Sequence, residues 1–261
     1  NIMNNTINKK LLMILITIFV GINILIIFIA FSNIKKISIN IENMPKYNII
    51  ILLVLLISCH YIDIIIHELG HCIAGNLVKF KFYSFTIFPF IIKNQNKKIT
   101  FQITDNHGLL GYCIMYPKTF SKLFKELLIY YLGGIGLNFI FIIIYLFLII
   151  YKVPNINNVF IKIFFCGLLI ISEFNLIQNA IPSKVNGMKT DGSNVLTIIK
   201  PSDSNDTDLM ELIISLQLFS GIRPRDINLK ILNNRKILSD KNFHEFISLY
   251  YFYHYLDSKD I

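Results

Sequence analysis

Long uncharged runs separated by short polar stretches set the plan of this chain. Lys9 and Lys10 precede an uncharged run from Leu11 to Phe31, long enough at about 1.5 Å per residue to cross a hydrocarbon core of about 30 Å. A second run starts near Tyr47 and continues to about Leu77. A third covers Leu127 to Tyr151, and a fourth runs from Val159 to Pro182 with one interruption at Glu173. The pattern predicts about four transmembrane helices. The first run exceeds the h-region of a signal peptide and no small-x-small cleavage site follows it, so it reads as a retained span.

Between the second and third runs the period changes. KFYSFTIFPFII is aromatic and β-branched, NQNKK reads as a turn, and ITFQIT alternates. This predicts a β-hairpin at 80–105, followed by the glycine-bearing segment HGLLGYCIMYP. Beyond the fourth run, Pro182, Gly187 and Gly192 argue for broken helix, and Asp191 stands at the start of a short new helix ending by Pro201. From Ser202 the chain turns polar, with apolar-periodic stretches in MELIISLQLFSGI and NFHEFISLYYFYHYL. These predict a small C-terminal helical region. The divisions are an N-terminal span and loop at 1–47, a core at 48–201 that carries the hairpin within about 79–117, and the tail at 202–261.

Composition agrees with a polytopic α-helical membrane protein: 54% hydrophobic residues, 16% charged and a mean hydropathy of +0.58. The formal charge of +9 would raise nucleic acid as a partner of a soluble protein. Here it is explained by topology, and no nucleic-acid partner is expected. With the N-terminus inside, twenty of the 25 Lys and Arg residues fall on the inner side and five on the outer. The positive-inside rule then gives a multi-pass protein of the cell membrane with both termini cytosolic. The four cysteines show no C-x-x-C spacing, and three lie in apolar runs, which favours buried free thiols over disulfides or metal ligands.

The chemistry is concentrated in His67-Glu68-Leu69-Gly70-His71, an H-E-x-x-H motif in the last third of the second span. Two histidines four apart on a helix present both imidazoles to one metal ion, and Glu68 is left free as a base toward water. Random order of this composition would produce on the order of 0.003 such matches. At the predicted depth the motif lies about 8–14 Å inside the cytosolic helix end, so water needs a polar cleft to reach it.

The third ligand has to come from elsewhere. Gly and His are absent three and six residues after His71, where Ala74 and Leu77 stand, and no Glu occurs between Glu68 and Glu126. Asp191 is the best offer, against the plainer reading of an N-cap aspartate. Asp63 sits one turn before His67, where it could orient that imidazole or pair with a polar neighbour in the bundle. Asn138 ends LGGIGLN, whose Gly133, Gly134 and Gly136 allow close helix approach. Its amide could be helix–helix glue or a donor to a substrate carbonyl or oxyanion.

Together these motifs resemble the site-2 protease family of intramembrane zinc metalloproteases. HELGH resembles that family's H-E-x-G-H, Thr190–Gly192 with Asn179 and Pro182 resembles its N-P-x-x-D-G region, and LGGIGLN resembles its glycine-rich segment ending in Asn. Asn175 offers a second match for the Asn179 position. The resemblance covers about residues 48–200. It implies Zn2+ held by His67, His71 and Asp191, Glu68 as catalytic base, Asn138 and Asn179 as substrate-binding residues, and a membrane-associated hairpin. It also implies a membrane-spanning or amphipathic peptide as substrate, cut near the cytosolic face, with the bilayer as solvent. The rival from another class is a catalytically unused scaffold or immunity-like binding protein of the same fold, which would have no need of Glu68. A metal transporter would need more intramembrane polar clusters than Asp63 and Glu173 supply.

Overall fold

The computed structural model describes residues 9–34, 47–95, 98–103, 110–118, 123–185, 188–199 and 212–227. The uncharged runs form helices α1 (Lys9–Ile34), α2 (Tyr47–Leu77), α3 (Leu123–Tyr151) and α4 (Val159–Ala180). Three of these, α2 from Ile49, α3 and α4, are long and apolar enough to cross a membrane. The side chains of α1 are described only from Ile18, where Ile18–Ile34 forms a shorter apolar stretch. Apolar residues cover the outside of the bundle: Phe28, Ile50, Phe147 and Phe174 are all more than half exposed. Such a belt is the surface a lipid solvent requires.

Inside, a core cluster draws Ile26 and Ala30 from α1, Cys59 and Ile66 from α2, Ile142 and Ile149 from α3, and Leu169 and Leu176 from α4. The α2–α3 contact is the closest. A Cβ on Gly70 would stand 2.4 Å from the Gly133 carbonyl oxygen, so the two backbones touch there and no side chain fits between them. Gly136 has open space around its Cβ position, so the close approach belongs to Gly133 and Gly134 alone.

The end of α2 is fixed by a Schellman-type cap. The Phe80 N–H donates to the Gly75 carbonyl at 2.8 Å and Lys79 N–H to Asn76 at 3.0 Å, with Lys79 at φ 63°. Phe80 is buried beside Tyr130 of α3, and the chain leaves directly into a sheet. The sheet has four antiparallel strands rather than one hairpin: β1 (Lys81–Ile87), β2 (Phe90–Gln95), β3 (Lys98–Ile103) and β4 (Gly111–Tyr116), in the order β3-β2-β1-β4. KFYSFTIFPFII reads as one strand by composition, but the chain reverses at Phe88-Pro89 and pairs Ile87 with Phe90. The glycine-bearing segment then returns as β4 on the other side of β1. Cys113, Met115 and Phe80 pack with Leu123, Leu127 and Tyr130 at the start of α3, together with Leu216. The sheet therefore sits against the ends of α2 and α3 that carry the chemistry.

After α4 a short hairpin, β5 (Lys184–Val185) with β6 (Met188–Lys189), leads into α5 (Asp191–Ile199). Of the expected C-terminal helical region, a helical segment at 212–219 and a turn of 3-10 helix at Pro224–Asp226 are described. The rest of that region lies outside the described residues.

Candidate metal centre

Burial sorts the faces of α2. Cys59, Asp63, Ile66, His67, Gly70, His71 and Ala74 are turned inward, whereas Ile65, Leu69, Ile73 and Leu77 face out. This is the periodicity of a helix packed on one side. His67 and His71 therefore enter the bundle together, with their Nε2 atoms 3.2 Å apart. Asp191 comes from α5, and its Oδ2 lies 2.9 Å from His67 Nε2 and 3.1 Å from His71 Nε2. All three side chains are buried. Tetrahedral metal sites with bonds of about 2.0–2.1 Å hold their ligand atoms about 3.3–3.4 Å apart. The three measured separations fall within a few tenths of an ångström of that triangle.

Local structure explains why these atoms are free to converge. His71 Nδ1 donates to the Tyr130 carbonyl at 2.9 Å, so Nε2 keeps its lone pair toward the cluster. Asp191 does not cap its own helix; Thr190 does. Thr190 Oγ1 accepts from Ser193 N–H at 3.3 Å, donates to the Ile181 carbonyl at 2.8 Å and accepts from Ser183 N–H at 3.2 Å. Thr190 is thus the N-cap and ties the loop after α4 to the start of α5. Asp191 is left in the first turn, where the helix dipole favours an anion. Gly192 completes the arrangement: a Cβ there would stand 2.0 Å from the Ala180 carbonyl oxygen, so only glycine lets α5 begin this close to the end of α4.

Gly134 supplies the space. A Cβ at Gly134 would lie 2.6 Å from His71 Nε2 and 2.8 Å from His67 Nε2. The donor set, its spacing and this cradle all fit a metal ion.

Glu68 is buried on the same helix, beside the backbone of Cys113 on β4. Strand β4 runs past this carboxylate, since a Cβ on Gly111 would lie 3.3 Å from Glu68 Oε1. A cavity of about 330 Å3 opens in front of the cluster, lined among others by His60, Asp63, His67, Glu68, Asn179 and Thr190. Its lining mixes these polar side chains with apolar ones such as Ile64, Leu110 and Met188.

Of the other residues singled out in the sequence, Asn179 lines this cavity. Asn138 does not. It is fully buried one turn beyond Gly134, and neither amide atom has a hydrogen-bond partner. Asp63 turns to α4 instead of to His67, accepting from Ser172 Oγ at 2.5 Å and Asn175 Nδ2 at 2.6 Å, while His67 Nδ1 has no partner. Tyr130 escaped the sequence reading altogether. Its backbone carbonyl orients His71, and its hydroxyl donates to the Cys113 carbonyl. A carbonyl acceptor leaves no trace in residue type. The capping threonine escaped it too, since the cap was offered at Asp191, although Thr before an Asp-Gly-Ser helix start is a common N-terminal signal.

Comparison with known proteins places these observations in a family. The sequence model of peptidase family M50 matches residues 50–239, which take in all but the first three residues of α2, all of α3 to α5, and every residue of the cluster. No curated protein matches the chain, and no solved structure does.

Proposed function

The chain belongs to peptidase family M50, the site-2 protease family, and from that premise we propose that it is an intramembrane zinc metalloendopeptidase. The observation that carries this reading is the meeting of His67 Nε2, His71 Nε2 and Asp191 Oδ2 within about 3 Å of one another, with Glu68 beside them in a cavity. His67, His71 and Asp191 would hold the zinc ion. When bound, it supplies Lewis acidity, making water a better nucleophile at neutral pH and polarising the scissile carbonyl. Glu68 takes the proton of the attacking water and delivers it to the leaving amine. Tyr130 keeps His71 in the tautomer and orientation this needs. Asn179 lines the cavity where it can meet the substrate backbone, whereas Asn138, one turn from the cradle, is buried outside it.

The substrate is a single-span protein or a short amphipathic precursor peptide cut near the cytosolic face, the precursor being favoured. A helix hides its peptide bonds, so the target has to be extended at the point of cleavage. β4 is an edge strand, and its course past Glu68 supports capture of an extended segment by strand addition. The sheet also suits a membrane-associated position, because Ile99, Phe101 and Ile103 expose one apolar face of β3. The charge distribution supports four spans with both termini cytosolic.

Metal analysis and cleavage of candidate peptides by the purified protein test the proposal. Zinc should be bound at one ion per chain. His67→Ala, His71→Ala and Asp191→Ala should each lose it, and Glu68→Gln should keep the metal while turnover falls by about 10²- to 10⁴-fold. A Glu68→Gln protein as active as wild type would refute the catalytic reading. Metal binding without any cleavage, unchanged by that substitution, would favour a scaffold of the same fold.

A further inference from the structure

Cys72 directly follows the second histidine of the motif, and Cys113 lies at the centre of β4. Their sulfur atoms are 2.9 Å apart, although both are free thiols. Helical geometry turns Cys72 about 100° away from His71, so it meets the strand and not the ligand cluster. Cys59 and Cys166 belong to the apolar core of the bundle, and neither is part of this contact. From 2.9 Å, an approach of about 0.9 Å reaches the disulfide bond length of about 2.05 Å.

The position of this pair gives it consequences. The backbone of Cys113 lies beside Glu68 and its carbonyl accepts from the Tyr130 hydroxyl, and Tyr130 in turn holds His71 through its carbonyl. A covalent bond at Cys113 therefore acts on a strand residue that lies beside the base and is tied, through Tyr130, to a metal ligand. β4 is packed tightly on α2 here, since a Cβ on Gly111 would stand 2.4 Å from Ile64 and 3.3 Å from Glu68 Oε1, so any shift of the strand is felt at the base.

We propose that Cys72 and Cys113 are a reversible oxidation site, whose disulfide pulls β4 onto α2 and switches the neighbouring centre off. Cys72 is only half-buried and Cys113 is buried, which makes Cys72 the thiol that meets the oxidant. A hydroperoxide oxidises it to a sulfenic acid and leaves as water or alcohol. The Cys113 sulfur then attacks the Cys72 sulfur, forming the S–S bond and releasing one water. In all, two thiols and one peroxide become a disulfide and, for hydrogen peroxide, two waters. A small dithiol restores both thiols by exchange.

The linkage is read without any assay of hydrolysis, so it stands apart from the peptidase reading, on which the switching half rests. The full-length protein in detergent is treated with hydrogen peroxide, digested without reduction and mapped by mass spectrometry. A 72–113 cross-linked peptide should form, remain in Cys59→Ser and Cys166→Ser proteins, and vanish in Cys72→Ser. Turnover of the oxidised protein should fall by about 10- to 100-fold, the usual effect of disturbing groups that orient metal ligands, and return with dithiothreitol. The Cys72→Ser protein should lose this reversible response. Absence of the cross-link in folded, peroxide-treated protein overturns the site. A cross-link formed with turnover unchanged overturns the switch. If no form of the protein has turnover, the peptidase reading fails, the switch falls with it, and the cross-link alone decides whether the oxidation site is real.

Discussion

Replacing Gly134 by Ala tests the geometry of the centre more sharply than removing a ligand. The new methyl would stand 2.6 Å from His71 Nε2, 2.7 Å from His67 Cε1 and 2.8 Å from His67 Nε2. Raising those contacts to an ordinary 3.4 Å requires a displacement of about 0.6–0.8 Å, several times the roughly 0.2 Å tolerance of a metal–ligand bond. The helices cannot simply separate without opening the backbone contact between Gly70 and Gly133. Overpacking of this kind costs about 1–3 kcal/mol, and two displaced ligands should weaken metal binding by about 10- to 100-fold. Gly136 is the control on the same helix, because nothing lies within 4 Å of its Cβ position. Gly136→Ala should leave the metal in place and be neutral or stabilising by up to about 1 kcal/mol through helix propensity. Metal content of the purified proteins and thermal unfolding with and without added zinc make the comparison. A Gly134→Ala protein that carries a full complement of metal and melts like wild type would refute the packing argument.

Three further outcomes follow from the same structure. Asn138→Leu removes an amide with no partner. It should leave stability equal or improved, while turnover falls about 100-fold if the amide serves the substrate; unchanged turnover would make the residue purely structural. Asn175→Leu strips one of the two donors from the buried Asp63 carboxylate and should lower stability by about 1–3 kcal/mol, with Asp63→Asn changing the size of that effect in a double-mutant cycle. No coupling between the two would mean the hydrogen bond does not matter. Reporter fusions after residues 118 and 155 should report cytosol and exterior respectively, and the reverse would sink the four-span topology.

The helices were legible because lipid imposes a single rule on a spanning segment: satisfy every backbone group internally and present apolar side chains outward. Tyr47 and Leu77 bound the second helix both in the pattern and in the structure. The sheet was less legible for a definite reason. Aromatic and β-branched composition marks strand propensity, but nothing in KFYSFTIFPFII announces a reversal except one proline, which is compatible with an edge strand as well as a turn. The partner of β1 on its other side, β4, is separated from it by two strands and a linker. Which strand pairs with which is decided by packing on α2 and α3, through contacts such as Met115 against Gly75, that no local window contains.

The site itself divides along the same line. His67 and His71 lie four apart on one helix, so spacing alone predicted their common face, with Glu68 free beside the first. Asp191 could be nominated by elimination, but not oriented. Its freedom to face the histidines depends on Thr190 taking over the cap and on Gly192 letting α5 start against the Ala180 carbonyl. Read this way, Thr190-Asp191-Gly192 is three devices in sequence: a cap, a ligand and a close approach. Each makes the next possible. Without the cap, Asp191 would be drawn to its own backbone; without the glycine, α5 could not begin where the carboxylate reaches both imidazoles. Asp63 shows the converse. Its spacing from His67 is as favourable as that of any supporting carboxylate, yet Ser172 and Asn175 on α4 take both of its oxygens. Spacing on a helix tells which groups share a face, and only the neighbouring helix decides which of them remain free to act.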